Sequence, residues 1–420
     1  MRRWNWKLSY KAIFLMAWVV LLISRILILT ENYTWPIDPV RLEMLYLLLL
    51  VALVLVMKKG VLSFRWGAHW YVLGVFLLHT LLWGRVFVDD RFSDLIFSHF
   101  KSQIMFAVIL VITVWGVQTF HAEQEFIEYS FWALSCTLVY FLITHISEVD
   151  LSNLANILSA SDRTRANFGF GHYNTLGAAC VCNILMLDTI RNQRESKRIH
   201  APEIICLCVS VIMLLCCASR SAITSLVLYF LVYAVLGMDE WKLPKRHIFA
   251  IRFVVLLSGA ALVVCLLLFA SMEDFLIAAQ RSHLFKHTLP MFFKTEKVWL
   301  GLGYASNVAY AMKQTPYVTY WLDNGYIYLL VTTGFVGLGV LLSALWCIAA
   351  GILKNIRVSE GKRLFAVFCV YLYVSLFETV LFNSGVITNY IYLSWFALTI
   401  SQNKGKGDVR MNGELPSKTE

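Results

Sequence analysis

The sequence predicts an all-α polytopic membrane protein that crosses a membrane about twelve times. Hydrophobic residues make up 59% of the 420-residue chain and charged residues only 15%, too little polar surface for a soluble domain of this length. The apolar residues lie in runs of about 18 or more, the length that a helix needs to cross a ~30 Å hydrocarbon core. Helices are expected because an isolated apolar segment must satisfy its own backbone hydrogen bonds, and the runs lack a barrel strand's alternation.

Twelve apolar runs are predicted to be the membrane spans. They start near Lys11, Leu42, His69, Gln103, Phe126, Tyr173, Pro202, Ser221, Ile248, Tyr326, Leu364 and Val386. The first run is too long for a cleaved signal peptide and lacks a small-residue cleavage site. Residues 1–402 therefore form one transmembrane domain, and the polar segment 403–420 forms a tail that is expected to be disordered.

The net charge of +10 is distributed in a way that predicts the orientation. With the N-terminus inside, the inner connections carry the basic segments 191–198, 242–246 and 354–357. This is the positive-inside bias of membrane proteins, and it predicts that both termini are cytoplasmic. Because the positive charge follows the membrane topology, nucleic acid is not expected as a partner.

Two outer connections are long, whereas most others are short. The first covers residues 147–172, and the second covers residues 271–324 between spans nine and ten. Loops of this length in a compact protein are usually functional or disordered. In the second loop, Met272, Phe275, Leu276 and Ala279 share one helical face, and further apolar residues follow at Leu289, Phe292 and Phe293. We expect amphipathic helices on the outer surface, followed by a flexible glycine turn at 301–306.

Ionisable residues inside the spans are expensive to bury, so each needs an explanation. Five of them fall toward outer ends of spans: Arg25, His79, Arg85, His145 and Glu378. One explanation is that they snorkel to the outer interface. The other is a polar cavity that opens to the outer leaflet.

Arginines outside the spans suggest a site for a phosphate-bearing ligand. Arg165 precedes span six, Arg220 lies in a tight outer turn between spans seven and eight, and Arg281 lies in the second long loop. A guanidinium is permanently charged and offers a planar fork of donors that fits phosphate oxygens. Their convergence would hold a lipid-linked pyrophosphate. The alternative is that the loop arginines pair with nearby acids, namely Glu148, Asp150 or Asp162.

The start of span six adds further candidate binding residues. Gly169 and Gly171 would allow backbone N–H groups to approach a ligand, and His172 and Asn174 stand at the start of the span. The N-terminus of a helix favours an anion through its dipole and its unpaired N–H groups. An ordinary loop-to-helix turn explains the same residues equally well.

A reacting centre would also need a base, and Asp323 is the candidate. It stands at the outer mouth of span ten and is followed by Asn324. The alternative role is a helix N-cap, which Asp or Asn supplies well, and the two roles are compatible. His283 and His287 have a spacing that could hold a metal, but the sequence offers no third ligand nearby, so no metal is expected.

Four segments together resemble the O-antigen ligase and polysaccharide polymerase (Wzy-type) superfamily. They are "RANFGFGHYNTLG" (165–177), "CASRSAITSLVL" (217–228), "RSHLFKHTLPMFFKTEKVWLGLGYAS" (281–306) and "DNGYIYLLVTTGFVGL" (323–338). Each motif is short, but their order and spacing are similar to those of the family, and spans match on either side.

The resemblance implies a glycosyltransferase of the GT-C type in the bacterial cytoplasmic membrane. It would move a glycan from a polyprenyl-pyrophosphate carrier, such as undecaprenyl pyrophosphate, to an acceptor at the outer face. By position, Arg165, Arg220 and Arg281 match the family's arginines that hold the donor pyrophosphate, with Arg281 also close to the reaction. Asp323 stands where ligases usually have a histidine, so it becomes the group that activates the acceptor hydroxyl. The resemblance implies no metal and no cofactor.

The residue at 323 favours a polymerase of capsule, exopolysaccharide or O-antigen, because that position varies among polymerases. The alternative is a ligase that hands finished glycan to lipid A core or another acceptor. A transporter or flippase is a third interpretation, since twelve spans are typical of transporters. A polymerase would act with membrane lipid, and with a repeat-unit flippase and a chain-length regulator as partners.

Overall fold

The structure is a computed structural model that describes residues 9–28, 39–57, 67–83, 93–151, 165–194, 198–238, 289–294, 296–301, 303 and 324–402. The regular elements in these ranges are helices. They are α1 (Tyr10–Ile28), α2 (Pro39–Met57), α3 (Ala68–Trp83), α4 (Ser93–Phe120), α5 (Glu123–Thr144), α6 (Tyr173–Gln193), α7 (Ala201–Cys216), α8 (Arg220–Gly237), α9 (Leu289–Phe293), α10 (Gly325–Leu353), α11 (Ser359–Phe377) and α12 (Ile387–Gln402).

The all-helical fold agrees with the sequence, and the membrane assignment has direct support. Within the described ranges, five helices are long and apolar enough to cross a membrane: Tyr10–Ile28, Phe100–Phe120, Glu123–Thr144, Arg220–Gly237 and Gly325–Leu353. The predicted span starts fall within or directly before described helices, except the start near Ile248, which lies outside the described residues. The number of twelve spans therefore stays a prediction, as do the helices at 272–279.

Hydrogen bonds between helix ends define what we call the upper end of the bundle, which carries Ser219, Asn324 and Glu378. The Ser219 hydroxyl donates to Asn174 Oδ1 at 3.0 Å, and Asn174 Nδ2 donates to Glu378 Oε1 at 2.6 Å. Asn324 Nδ2 donates to the Leu376 carbonyl at 2.8 Å. The N-termini of α6, α8 and α10 therefore meet the C-terminus of α11. The predicted topology puts this end on the outside.

The opposite, lower end is tied by a partly buried charge pair. Asp188 Oδ2 on α6 accepts from the Tyr229 hydroxyl on α8 at 2.5 Å and from Arg363 Nε on α11 at 3.0 Å. The Arg363 guanidinium also lies 4.5 Å from the ring of Tyr233. Because α6, α8 and α11 are linked at both ends, they form one three-helix framework.

A glycine lets two members of this framework approach each other closely. An added Cβ at Gly177 would lie 2.9 Å from Ala222 Cβ and 2.9 Å from Ser219 Cβ. Any larger residue at position 177 would push the first turn of α8 away from α6. The position of Arg220 is therefore set by the surface of α6.

Helix α10 is broken at Gly334, which has a φ of 69°. The described residues 296–301 and 303, which we call the docked segment, fill the break. Phe335 N and Val336 N donate to the carbonyls of Val298 and Trp299 at 3.1 and 3.0 Å, and Gly303 N donates to the Thr332 carbonyl at 2.8 Å. Since Thr332 and Thr333 are buried, the backbone groups freed by the break need such partners.

The docked segment differs from the flexible turn that the sequence predicted at 301–306. Gly301 and Gly303 do have positive φ angles of 76°, but both are buried against α10. An added Cβ at Gly301 would lie 2.3 Å from the Thr332 carbonyl oxygen. The glycines are therefore needed for close backbone approach rather than for freedom of motion. The rest of the predicted turn, 304–306, lies outside the described residues.

The connection between α11 and α12 contacts two of the ionisable residues that lie within spans, Arg25 and His79. Its Phe382 packs 4.4 Å from the ring of Phe76 and 5.3 Å from that of His79. Gln103 Nε2 donates to the Phe382 carbonyl at 2.8 Å, and an Arg25 N–H donates to the Ser384 carbonyl at 2.9 Å. Arg25 and His79 thus hold this connection in place, whereas Arg85 lies outside the described residues.

Candidate functional site

The upper end brings together two of the predicted arginines, Arg165 and Arg220. Ala166 N donates to the Cys216 carbonyl at 3.2 Å, which fixes the segment containing Arg165 against the end of α7. Arg220 follows after a three-residue turn, as the first residue of α8.

Arg165 lies against Tyr173, the first residue of α6, and Ser219, directly before Arg220, is hydrogen-bonded to Asn174 on the same helix. The two arginines therefore stand at the starts of two helices that are in contact. Two like charges at neighbouring helix starts favour an anion near them.

Buried aromatic residues fix the segment that carries Arg165. Phe168 and Phe170 are completely buried, and the Phe170 ring lies 4.8 Å from that of Phe141 on α5. The backbone turns sharply there, with φ of 49° at Phe168 and 77° at Gly169. An added Cβ at Gly169 would lie 2.7 Å from the His145 ring, so the glycine permits close packing on His145.

Glu148, one of the possible partners of the loop arginines, binds a backbone N–H group. Glu148 Oε2 accepts a hydrogen bond of 2.7 Å from the backbone N–H of Phe168. Its carboxylate therefore stabilises the sharp turn beside Arg165. Asp162, another proposed partner of the arginines, lies outside the described residues.

Tyr173, the first residue of α6, supports Arg165 from below. The Arg165 guanidinium lies 4.1 Å from the centre of the Tyr173 ring, within the range of a cation–π interaction. The His172 ring stacks on the same tyrosine at 4.4 Å. His172 Nδ1 accepts from the backbone N–H of Asn174 at 3.2 Å. The structure therefore gives His172 the role of the N-cap of α6.

A chain of three polar side chains connects the helices around the arginines. It runs from Ser219, directly before Arg220, through Asn174 on α6 to Glu378 at the end of α11. Ser219 is buried and Glu378 is half-buried. The chain ties the start of α8 to two other helices, and it brings a carboxylate to the same end of the bundle as the arginines.

Three helix N-termini add to the positive electrostatics of the upper end. Helices α6, α8 and α10 all begin there, and each N-terminus carries a partial positive charge from the helix dipole. Together with Arg165 and Arg220, they make this end suited to a phosphate or pyrophosphate.

Cys217, in the turn before Arg220, is excluded as a nucleophile. Burial raises the pKa of its thiol to about 12, even though the nearby Arg165 charge acts in the opposite direction. The thiol donates to the Leu214 carbonyl at 3.2 Å. A protonated, hydrogen-bonded thiol is unreactive at neutral pH, so Cys217 has a packing role.

The start of α10 is capped by Asn324 rather than by Asp323. Asn324 Oδ1 accepts from the backbone N–H groups of Tyr326 and Ile327 at 3.0 and 2.9 Å. Its amide nitrogen is bonded to the Leu376 carbonyl. Asn324 therefore positions the start of α10 on α11. Asp323 and Arg281 themselves lie outside the described residues.

Tyr173, Ser219 and Glu378 were not predicted as site residues. Glu378 carried a signal, because it is an ionisable residue near the end of a span. Tyr173 and Ser219 lie within quoted motifs, between more conspicuous neighbours. Which of these side chains meet depends on the contact between α6, α8 and α11, and no local pattern encodes that contact.

Comparison with known families bears on this arrangement. Residues 205–342 match a family model described as O-antigen ligase. The resemblance to the O-antigen ligase superfamily is confirmed over these residues. The O-antigen ligase match indicates a membrane protein with ligase- or polymerase-type glycosyltransferase function and a lipid-linked glycan as substrate. A search of curated proteins finds no match to the chain.

The O-antigen ligase match covers one side of the candidate site. Arg220, Arg281 and Asp323 lie within the matched residues. Arg165 and Glu378 lie on either side of the match, and both contact the start of α6, Arg165 at Tyr173 and Glu378 at Asn174. The candidate site therefore includes elements that precede and follow the matched stretch.

Proposed function

We propose that this protein is a polymerase at the outer face of the bacterial cytoplasmic membrane. It joins polyprenyl-pyrophosphate-linked oligosaccharide repeat units into a surface polysaccharide, such as a capsule, an exopolysaccharide or O-antigen. The observation that carries the proposal is that Arg165, on Tyr173 of α6, and Arg220, the first residue of α8, stand at two helix starts that are joined by the Ser219–Asn174 hydrogen bond and by the close contact at Gly177. The O-antigen ligase match over residues 205–342 supports the glycosyl-transfer chemistry that a polymerase and a ligase share.

The donor half of the reaction needs positive charge more than it needs a strong acid or a metal. The bond between the anomeric carbon and the phosphate oxygen breaks, and the lipid pyrophosphate leaves with additional negative charge. Arg165 and Arg220 would neutralise that charge from fixed positions, with Arg281 as a third donor. Preorganised charges of this kind need no rearrangement during the reaction.

The acceptor half needs a group that takes a proton. A sugar hydroxyl of the acceptor forms the new bond to the anomeric carbon, and its proton passes to the base. Asp323 is the proposed base, next to the N-cap of α10. General-base catalysis typically contributes about 10²–10⁴-fold, so removal of Asp323 is expected to slow transfer rather than abolish it.

The second candidate function is a ligase that transfers finished glycan to lipid A core or another acceptor. The description of the matched family favours it. The aspartate at 323, in place of a histidine, favours the polymerase. A deletion strain separates the two. Loss of a polymerase leaves single repeat units, whereas loss of a ligase leaves long chains on the carrier lipid that are not attached to their acceptor.

The proposal is tested by glycan laddering in that deletion strain complemented with variants. Arg220→Ala is expected to lose roughly 100-fold in transfer rate, by comparison with the removal of one preorganised donor. Arg220→Lys keeps the charge but loses the planar fork, so intermediate activity and shorter chains are expected.

Arg357→Ala is the matched control. Arg357 is exposed in the turn between α10 and α11, at the lower end of the bundle. The control should leave the glycan ladder unchanged. Arg220→Ala with a wild-type ladder at equal protein level would disprove the proposed donor site.

A further inference from the structure

We propose, on the basis that Arg165 and Arg220 hold the donor pyrophosphate, that Glu378 is a positioning residue for this site. It fixes the orientation of the Asn174 amide and thereby the start of α8, where Arg220 lies. Glu378 does not contact the donor in this scheme. Its effect on donor binding passes through Asn174 and Ser219.

The first step concerns the orientation of an amide. The Asn174 side chain has an NH₂ group that donates and an oxygen that accepts, and rotation by 180° exchanges them. An ionised carboxylate only accepts. The 2.6 Å contact with Glu378 Oε1 therefore fixes Asn174 Nδ2 on the side of α11. The amide oxygen must then face α8.

The second step concerns the start of α8. Ser219 is the N-cap residue of α8, yet its side chain forms no cap hydrogen bond to that helix. It donates to Asn174 Oδ1 at 3.0 Å instead. The first turn of α8 is therefore attached to α6 through the oxygen that Glu378 has oriented. Arg220 is the next residue along the chain.

The third step is the consequence of close packing. At Gly177, the space between α6 and the first turn of α8 is too small for an added methyl group, which would lie 2.9 Å from Ser219 Cβ. The start of α8 therefore has no space to move toward α6, but loss of the Ser219–Asn174 bond would let it move away. Such a shift would displace the Arg220 guanidinium relative to Arg165.

The charge of Glu378 has the opposite effect on an anionic ligand. A carboxylate at the upper end repels a pyrophosphate, whereas its hydrogen bond helps to build the pyrophosphate site. The two effects separate in two variants. Glu378→Gln removes the charge and keeps an oxygen that accepts from Asn174. Glu378→Ala removes both.

The test measures binding of undecaprenyl pyrophosphate to the purified full-length protein in lipid nanodiscs. Glu378→Ala is expected to bind roughly tenfold more weakly, the scale of one hydrogen bond to a charged group. Glu378→Gln is expected to bind at least as tightly as the wild type. Arg220→Ala, measured alongside, reports on the donor site itself.

Tyr373→Phe is the matched control. The Tyr373 hydroxyl donates to Thr224 Oγ1 at 2.9 Å, so the substitution also removes a hydrogen bond between α11 and α8. It does not involve Asn174 and should leave lipid binding unchanged. Thermal unfolding of each variant is measured to compare affinities per folded molecule. If Glu378→Ala does not fold, Asn174→Ala breaks the same chain from α6. Because it keeps the repelling carboxylate, it should weaken binding by at least the same factor.

Each unfavourable outcome overturns a separate statement. Equal binding by the wild type and Arg220→Ala would overturn the proposed function and the role of Glu378 together. Weakened Arg220→Ala with unchanged Glu378→Ala would overturn the role of Glu378 alone. The same holds if Glu378→Gln binds as weakly as Glu378→Ala, or if Tyr373→Phe weakens binding equally.

Discussion

Arg165 shows how a single residue is prepared for a ligand. Its guanidinium lies against the face of Tyr173, and stacking on an aromatic face leaves the N–H groups at the guanidinium edge available. A carboxylate partner would occupy those same N–H groups. The tyrosine therefore restricts the motion of the arginine without competing with a phosphate.

Replacement of that ring gives a prediction at the residue scale. Tyr173→Leu should weaken binding of undecaprenyl pyrophosphate a few-fold, because a cation–π contact that is partly open to solvent contributes about 0.5–1 kcal/mol. Tyr173→Phe keeps the ring and should bind like the wild type. Equal loss in both variants would show that the hydroxyl, and not the ring, is the important group.

At this scale, the sequence identified the candidate arginines but not the residues that hold them in place. Arg165 and Arg220 stand out because the positive-inside bias disfavours arginine in outer loops. Glu148 was one of three possible partners of the loop arginines in the alternative interpretation, and the structure shows that it binds the Phe168 N–H. Which groups a carboxylate binds depends on the course of the sharp turn at Phe168 and Gly169, and no local pattern in the sequence gives that course.

At the scale of elements, the break in α10 depends on two glycines, Gly334 in the helix and Gly301 in the docked segment. An added Cβ at Gly334 would lie 2.3 Å from the Trp299 carbonyl oxygen. Gly334→Ala would also strain a φ of 69°. The substitution is therefore expected to lower the thermal stability of the purified protein by at least about 1–3 kcal/mol.

Gly339→Ala is the control for this prediction. Gly339 lies in the same helix, and an added Cβ there would meet nothing within 4 Å. Alanine should be neutral or slightly stabilising at that position. Similar melting temperatures for Gly334→Ala and Gly339→Ala would contradict a tight contact between the docked segment and α10.

The sequence predicted the location of α10 but not its break. Gly334, Gly337 and Gly339 follow one another in a continuous apolar run, and helical spans tolerate glycine. Gly334 differs from the other two because the residues that follow it, Phe335 and Val336, donate hydrogen bonds to the carbonyls of Val298 and Trp299. That contact joins residues far apart in the chain and has no local signature.

At the scale of the whole molecule, the two ends of the framework of α6, α8 and α11 are expected to have different roles. The lower end stabilises the fold, and the upper end carries the proposed binding site. Asp188→Ala would leave the Arg363 guanidinium, only 10% exposed, without its carboxylate. Breaking such a pair from one side costs on the order of 3 kcal/mol. We expect a lower melting temperature but unchanged undecaprenyl pyrophosphate affinity per folded molecule.

Tyr229→Phe calibrates that measurement. It removes one hydrogen bond to Asp188 and leaves the Arg363 pair intact, so the expected loss is about 1 kcal/mol. If Asp188→Ala weakened lipid binding as strongly as Glu378→Ala, the lower end would belong to the functional unit.

The overall architecture was predictable because apolar length and charge bias are properties of the chain itself. The helices that begin at Tyr173 and Arg220 start within a residue of the predicted spans. The association of α6 with α8 and α11 was not predictable, because most faces of these helices are apolar and offer no preferred partner. Gly177 and Asp188 determine which helices associate, through the close contact with α8 and the ion pair with Arg363. Neither residue stands out in the sequence, because its role depends on a partner far along the chain.

The break in α10 also bears on how the protein is assembled in the membrane. The part after Gly334 has about nineteen residues, close to the length that crosses a hydrocarbon core. The part before it has about nine, too short to form a stable helix alone. During synthesis, the longer part can therefore insert as a span by itself. The docked segment, made earlier by the ribosome, then helps to place the shorter part, because it pairs with Thr332 before the break and with Phe335 and Val336 after it.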